Sequence, residues 1–218
     1  FSDEIKFQLS NGYHHWEDLV GSPKQTGWSQ TLQLPDDVVA KPGFRLMEMD
    51  FFQDEDEFLL GETRLRALHT PGHSPGHYAF FFPEQKILFS ADLDISPRGP
   101  WYGGEYSDFD DLVQSVEKLI ALQAEILVTS HRKVFYGQIE QLLQDYINIG
   151  LDKEKSMLDY LKVPRSLDDL LARDNAFASL AQTPHNIFWG KMMIIKHLDR
   201  LKKLGQVEEL GNYRYVRI

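Results

Sequence analysis

From Glu62 to His69, Thr63, Leu65 and Ala67 alternate with Arg64, Arg66 and Leu68, a two-residue period that predicts a strand. Two apolar runs, His77 to Phe82 and Lys86 to Ser90, flank Pro83-Glu84-Gln85 and read as a hairpin. The period then lengthens: Leu112, Val116, Leu119 and Ile120 recur at helical spacing behind Ser107, a good cap, with Asp108, Asp110 and Asp111 in the first turn. Glu125 to Thr129 reads as a short buried strand that ends at Ser130-His131. Strand, hairpin, helix and strand in this order predict an α/β fold.

Further along, 138–161 reads as a long helix with a candidate interruption at Gly150. Ser166 caps a short helix over 167–172. A longer amphipathic helix covers 186–204 and stops at Gly205, and two strands flank the Gly211-Asn212 turn. Two helices and a hairpin at the C-terminus predict a winged helix. Residues 1–57 are broken repeatedly by Asn11-Gly12, Ser22-Pro23, Leu34-Pro35 and Lys41-Pro42-Gly43, and predict loops and short helices.

Charge reinforces a division into two parts, 1–150 and 151–218. The whole chain carries −10, yet from Asp152 onward 12 Lys+Arg face 9 Asp+Glu, so the residues before it hold 11 against 24. This acidic balance speaks against a general nucleic-acid binder. Cysteine is absent, which excludes disulfides and thiolate chemistry and leaves His, Asp and Glu as metal ligands. No apolar run approaches the roughly 20 residues of a membrane span. We therefore expect no membrane partner and a cytoplasmic location. The chain opens on Phe1 rather than Met, so an upstream segment is expected.

Three places carry candidate chemistry. In His69-Thr70-Pro71-Gly72-His73-Ser74-Pro75-Gly76-His77, Pro71 and Gly72 force an abrupt exit from a strand and can push the His73 ring out at the sheet edge. Ser90-Ala91-Asp92 closes the second hairpin strand, and Thr129-Ser130-His131 closes the next one. Each puts a ligand-type residue just beyond a strand's carboxyl end, where α/β sheets build their sites. Taken singly, these residues also read as a surface turn, a loop cap and a backbone-bonded histidine.

As a set, with separations of 19 and 39 residues, the three elements resemble the metallo-β-lactamase superfamily. The resemblance implies its αββα sandwich and two divalent metal ions, zinc first, manganese or iron as alternatives. By the same match His73 would hold one metal, His131 the other, and Asp92 would bridge them. His69 and His77 would be supports or substrate contacts. The metals would generate hydroxide at neutral pH and polarise the scissile bond of a thioester, lactone or other ester. Arg98, Trp101 and Tyr102, in the loop after Asp92, are candidates to shape a small-molecule pocket.

The family's leading His-x-His-x-Asp-His string is absent. Tyr13-His14-His15-Trp16-Glu17-Asp18 matches it outright only at His15, with Glu17 and Asp18 as substitutes for Asp and His. Either this is a degenerate motif or the true one lies upstream, as we expect. With His73, Asp92 and His131 alone each cation has about two protein ligands, fewer than the three or four zinc sites use, which predicts weak binding and little activity. Lys191, Lys196, Arg200, Lys202 and Lys203 on the last long helix leave open a ribonuclease of the same superfamily, or a ligand-sensing DNA-binding regulator. The alternative is a solvated face over the stripe of Ile187, Met192, Ile195, Leu198 and Leu201, with His185 and His197 structural. In resembling enzymes such tails pack beside the active-site mouth or form a dimer interface.

Overall fold

The computed structural model describes residues 51–173 and 184–218. Strands β1 (Glu57–Leu60), β2 (Thr63–His69), β3 (Tyr78–Phe82), β4 (Ile87–Phe89), β5 (Ile126–Val128) and β6 (Phe135–Tyr136) form one sheet in sequence order. The expected strand and hairpin are β2 to β4, paired antiparallel, while β4 and β5 pair in parallel. A parallel pair needs a crossover, and helix α1 (Phe109–Ile120) supplies it. It follows that β2, β4 and β5 run in one direction and end on one rim of the sheet.

The cap of α1 is Asp108, whose carboxylate accepts from the backbone N–H groups of Asp110 and Asp111, not Ser107. Ser107 instead donates its hydroxyl to the His73 carbonyl, at 2.7 Å. Helix α2 (Ile139–Tyr160) runs unbroken through Gly150. The glycine is there for space: a Cβ at that position would lie 2.6 Å from the Phe109 ring. β1 and β6 were not anticipated. β6 is two residues long, and β1 bears four exposed residues with no alternation in burial.

Buried apolar side chains gather in two clusters. One joins Leu68, Leu88, Leu112, Val116, Leu127, Leu143 and Ile147 beneath the large sheet, and includes Met193. The other joins Met157, Leu161, Leu167, Leu170, Met192, Ile195, Leu198 and Tyr215. Position 150 lies inside α2, which serves both clusters, with Tyr146 in the first and Met157 in the second. The second is built by β7 (Arg165–Ser166), α3 (Leu167–Arg173), α4 (Pro184–Lys203), β8 (Val207–Glu209) and β9 (Arg214–Arg217), with a three-stranded sheet in the order β7-β9-β8. Ser166 caps α3 reciprocally: its hydroxyl accepts from Asp169 N–H, and the Asp169 carboxylate accepts from Ser166 N–H. Among the described residues no helix is long and apolar enough to cross a membrane.

Candidate metal centre

The turn after β2 is held from outside by α1. The Pro71 carbonyl accepts from the Ser115 hydroxyl at 2.7 Å, Gly72 O from Asp108 N–H at 2.9 Å, and His73 O from Ser107. Gly72 sits at φ +123°, and a Cβ there would fall 2.4 Å from the Leu112 backbone nitrogen. Only glycine allows the turn this close to the helix. His73 thus emerges at the rim, its ring 5.1 Å from that of Trp101. Its Nδ1 lies 3.1 Å from the Trp101 carbonyl. A carbonyl can only accept, so Nδ1 carries a proton and Nε2 of the neutral ring keeps its lone pair.

Asp92 is aimed by a strained residue. Ala91 adopts φ +47°, a left-handed conformation costly for a residue with a Cβ. It is locked there by Ser90 N–H to Val128 O and Ser130 N–H to Ala91 O, both 2.9 Å. The Asp92 N–H donates to Nε2 of His77 at 3.2 Å. That bond makes Nε2 an acceptor, so the His77 proton is on Nδ1, shared between the Thr70 carbonyl (3.0 Å) and hydroxyl (2.8 Å). Burial, then the neighbouring His73, pushes the His77 pKa below the ordinary imidazole value and keeps the ring neutral. His77 is 6% exposed and ties the β2–β3 turn to Asp92.

His131 follows β5 and puts its Nε2 3.0 Å from Asp92 Oδ1, while His73 Nε2 lies 3.6 Å from Asp92 Oδ2. One carboxylate therefore faces two imidazoles, one on each oxygen. For His73, a lone pair opposite a carboxylate oxygen is an arrangement a cation between them satisfies, so the donor chemistry fits a divalent metal. The set is sparse: among the described residues, no three or more His, Cys, Asp or Glu side chains form a metal-holding group. Each oxygen of Asp92 brings one ring. His15, Glu17 and Asp18 lie outside the described residues.

These three residues open onto a cavity of about 360 Å³, lined also by Asp94, Arg98, Trp101, Lys153 and Met193. Arg98 and Trp101 are thus among the residues that line this cavity. Tyr102 is not: it is 1% exposed and turns away to place its hydroxyl 2.6 Å from His197 Nε2. His69 is also outside the cavity, its Nε2 donating to the Pro75 carbonyl at 2.7 Å within the turn. Lys153 and Met193 were missed from sequence. They come from α2 and α4, and no local pattern links them to the rim.

The basic residues of α4 are all engaged. Lys191 pairs with Asp168, Lys196 donates to the Glu105 carbonyl, and Lys202 pairs with Asp199 and Glu209. Arg200 binds Asp110 and both oxygens of Glu154, and Lys203 lies 4.0 Å from Asp108.

A family model described as the metallo-beta-lactamase superfamily matches residues 11–131, more than half of the chain. Beta-lactamase-like protein 2 homolog of Drosophila melanogaster is 27% identical over 152 residues, which are 69% of this chain and 50% of that protein. Hydroxyacylglutathione hydrolase of Francisella tularensis subsp. tularensis is 25% identical over 178 residues, 81% of this chain and 66% of that protein. The chain spans half to two thirds of the length of these curated relatives. In fold it is similar to a beta-lactamase domain protein from Burkholderia ambifaria, with a TM-score of 0.74 at 17% identity over 98% of this chain and 63% of that one. A metallo-beta-lactamase family protein from Thermus thermophilus gives 0.64 at 23% identity, over 97% and 69%.

Proposed function

Because this chain belongs to the metallo-β-lactamase superfamily, we propose that it is a metal-dependent hydrolase of a carbonyl substrate, an ester, thioester or lactone. The observation that carries this reading is the shared carboxylate: Asp92 faces His73 on one oxygen and His131 on the other, at the mouth of a cavity sized for a small molecule. His73 and His131 would each hold one divalent cation, with Asp92 between them. Bound there, the cations supply Lewis acidity, which polarises the scissile carbonyl and makes water a competent nucleophile at neutral pH. Zinc is the first metal to test. A thioester is the first substrate class to test, since a relative is named a hydroxyacylglutathione hydrolase.

The chain's own residues orient and exclude. The Trp101 ring and Met193 give the cavity an apolar wall, and Arg98 and Lys153 place positive charge along it. Residues 1–150 then form the hydrolase part and 151–218 a winged-helix-like part closing one side. Carboxylates beside Lys191, Arg200 and Lys202 dilute the positive charge of α4, which weighs against the ribonuclease and DNA-binding readings.

Zinc-loaded protein expressed from its complete gene, assayed on a panel of thioesters, lactones and aryl esters, should hydrolyse at least one class, and residues 1–218 alone only weakly. Asp92→Asn should lower kcat/KM by about 10³-fold or more, the loss of about 4 kcal/mol of transition-state stabilisation. Hydrolysis unaffected by Asp92→Asn, or by chelation of the metal, would overturn the reading.

A further inference from the structure

The segment between β4 and α1, residues 90–108, has no regular structure, yet it supplies the carbonyl that fixes the His73 ring. One face of α4 grips it. The Trp189 ring meets Trp101 edge-on at 4.7 Å, Met193 reaches the cavity, Lys196 Nζ donates to Glu105 O at 2.5 Å, and His197 meets the Tyr102 hydroxyl. Positions 189, 193, 196, 197 and 200 recur three and four apart, so they form a single stripe. It is distinct from the stripe of Met192, Ile195 and Leu198 that fills the second cluster.

The Tyr102–His197 contact is the deepest of these, with the two residues 1% and 2% exposed. His197 packs against the rings of Phe109 at 4.6 Å and Tyr102 at 5.2 Å. Among the described residues its Nδ1 has no hydrogen-bond partner, and it faces Glu154 Oε2 at 3.8 Å. A neutral ring with its proton on Nδ1, toward that carboxylate, leaves Nε2 to accept from the Tyr102 hydroxyl.

The consequence for the site follows from one rigid unit. The Trp101 carbonyl and the Tyr102 Cα belong to the same planar peptide. Fixing Tyr102 therefore fixes the direction of the Trp101 C=O. We propose that Tyr102, held by His197, is a positioning residue for His73: it aims the Trp101 carbonyl so that it accepts the His73 Nδ1–H and presents Nε2 to Asp92. Partners of this kind orient metal-binding imidazoles and set their tautomer. The inference rests on the metal-centre reading, but its first readout needs no metal.

Long-range ¹H–¹⁵N spectra of the imidazole rings in the full chain test it. In the metal-free wild type His73 should appear as a single Nδ1–H tautomer. Tyr102→Phe keeps the ring packing and removes the hydroxyl, and should give a tautomer mixture at His73 with zinc affinity reduced about 10- to 100-fold. His197→Leu should do the same from the other partner. His197→Gln, whose carboxamide can accept from the hydroxyl, should restore most of the wild-type behaviour. Either loss variant with an unchanged His73 tautomer and unchanged zinc affinity would overturn the inference. His73→Ala separates the two readings: if it leaves zinc binding intact the metal centre falls, while the tautomer spectra still decide the role of Tyr102.

Discussion

The two imidazoles that face Asp92 are built differently. The His73 side chain is 22% exposed, anchored through Nδ1 on a carbonyl and flanked by the Trp101 ring. The His131 side chain is 67% exposed, and among the described residues nothing meets its second nitrogen. Its loop is fixed mainly by backbone: Ser130 N–H to Ala91 O, and Arg132 N–H to the Thr129 hydroxyl at 3.1 Å. One half of the site is thus preorganised by tertiary contacts, and the other half borrows its order from the sheet rim. A ligand with a second hydrogen bond keeps its aim without a metal. One without it must be ordered on binding, at a cost in side-chain entropy.

The sharpest way to break the contrast is at the turn. Gly72→Ala puts a Cβ into the Leu112 backbone at a positive φ, and should cost about 3 kcal/mol or more in urea denaturation. Ser130→Ala, on the exposed side, should stay within about 0.5 kcal/mol. Similar losses at both positions would erase the distinction. Next, calorimetric zinc titration should show His73→Ala reducing affinity about 100-fold, and His131→Ala only about 10-fold, since water can take the place of an exposed ligand. Gly150→Ala comes third. It presses on Phe109, which packs against both Tyr102 and His197, and should cost about 2 kcal/mol.

The smallest effect is on pH. Burial holds the His197 pKa below that of a free imidazole, despite the opposing pull of Glu154. Tyr102, Phe109, Glu154 and Arg200 surround it, with Lys153 adding a smaller positive influence. The unfolded chain takes up its proton near pH 6.5, the folded chain at lower pH. The stability from a neutral His197 is therefore complete above about pH 6.5 and is lost as pH falls below it. Burial raises the Glu154 pKa, but the facing His197 ring and the hydrogen bonds from Arg200 outweigh this and leave it lowered, which adds to the loss at lower pH. Melting temperature between pH 7.5 and 5.5 should fall, and His197→Gln should flatten part of that slope. His77, also held below the ordinary imidazole value, acts in the same direction.

Much of the rim was legible because its residues follow elements with clear periods. The alternation in β2, the apolar run of β4 and that of β5 are each followed within four residues by His73, Asp92 or His131, and topology brings those ends to one edge. What failed had no period to read. Residues 90–108 are irregular, so the direction of Tyr102, away from the pocket and toward His197, lies in a partner 95 positions away. Ser107 and Asp108 are both good caps side by side, and the choice was made by the His73 carbonyl, which claims the serine hydroxyl. Gly150 reads as a helix breaker, but its neighbour in space is an aromatic ring from α1. The basic positions of α4 read as a solvated face, and most of the carboxylates that pair with them, Asp168, Asp110, Glu154 and Glu209, lie on other elements.

The stripe on α4 also bears on how such a chain diversifies. Since Met193 lines the cavity from α4 and Trp189 of the same helix backs the Trp101 ring, exchanging the last sixty or so residues between relatives would reshape what fits inside while leaving the ligand-bearing rim untouched. Selectivity would travel with the tail and reactivity with the sheet. A graft that disregarded Tyr102 and His197 as a matched pair would disturb both.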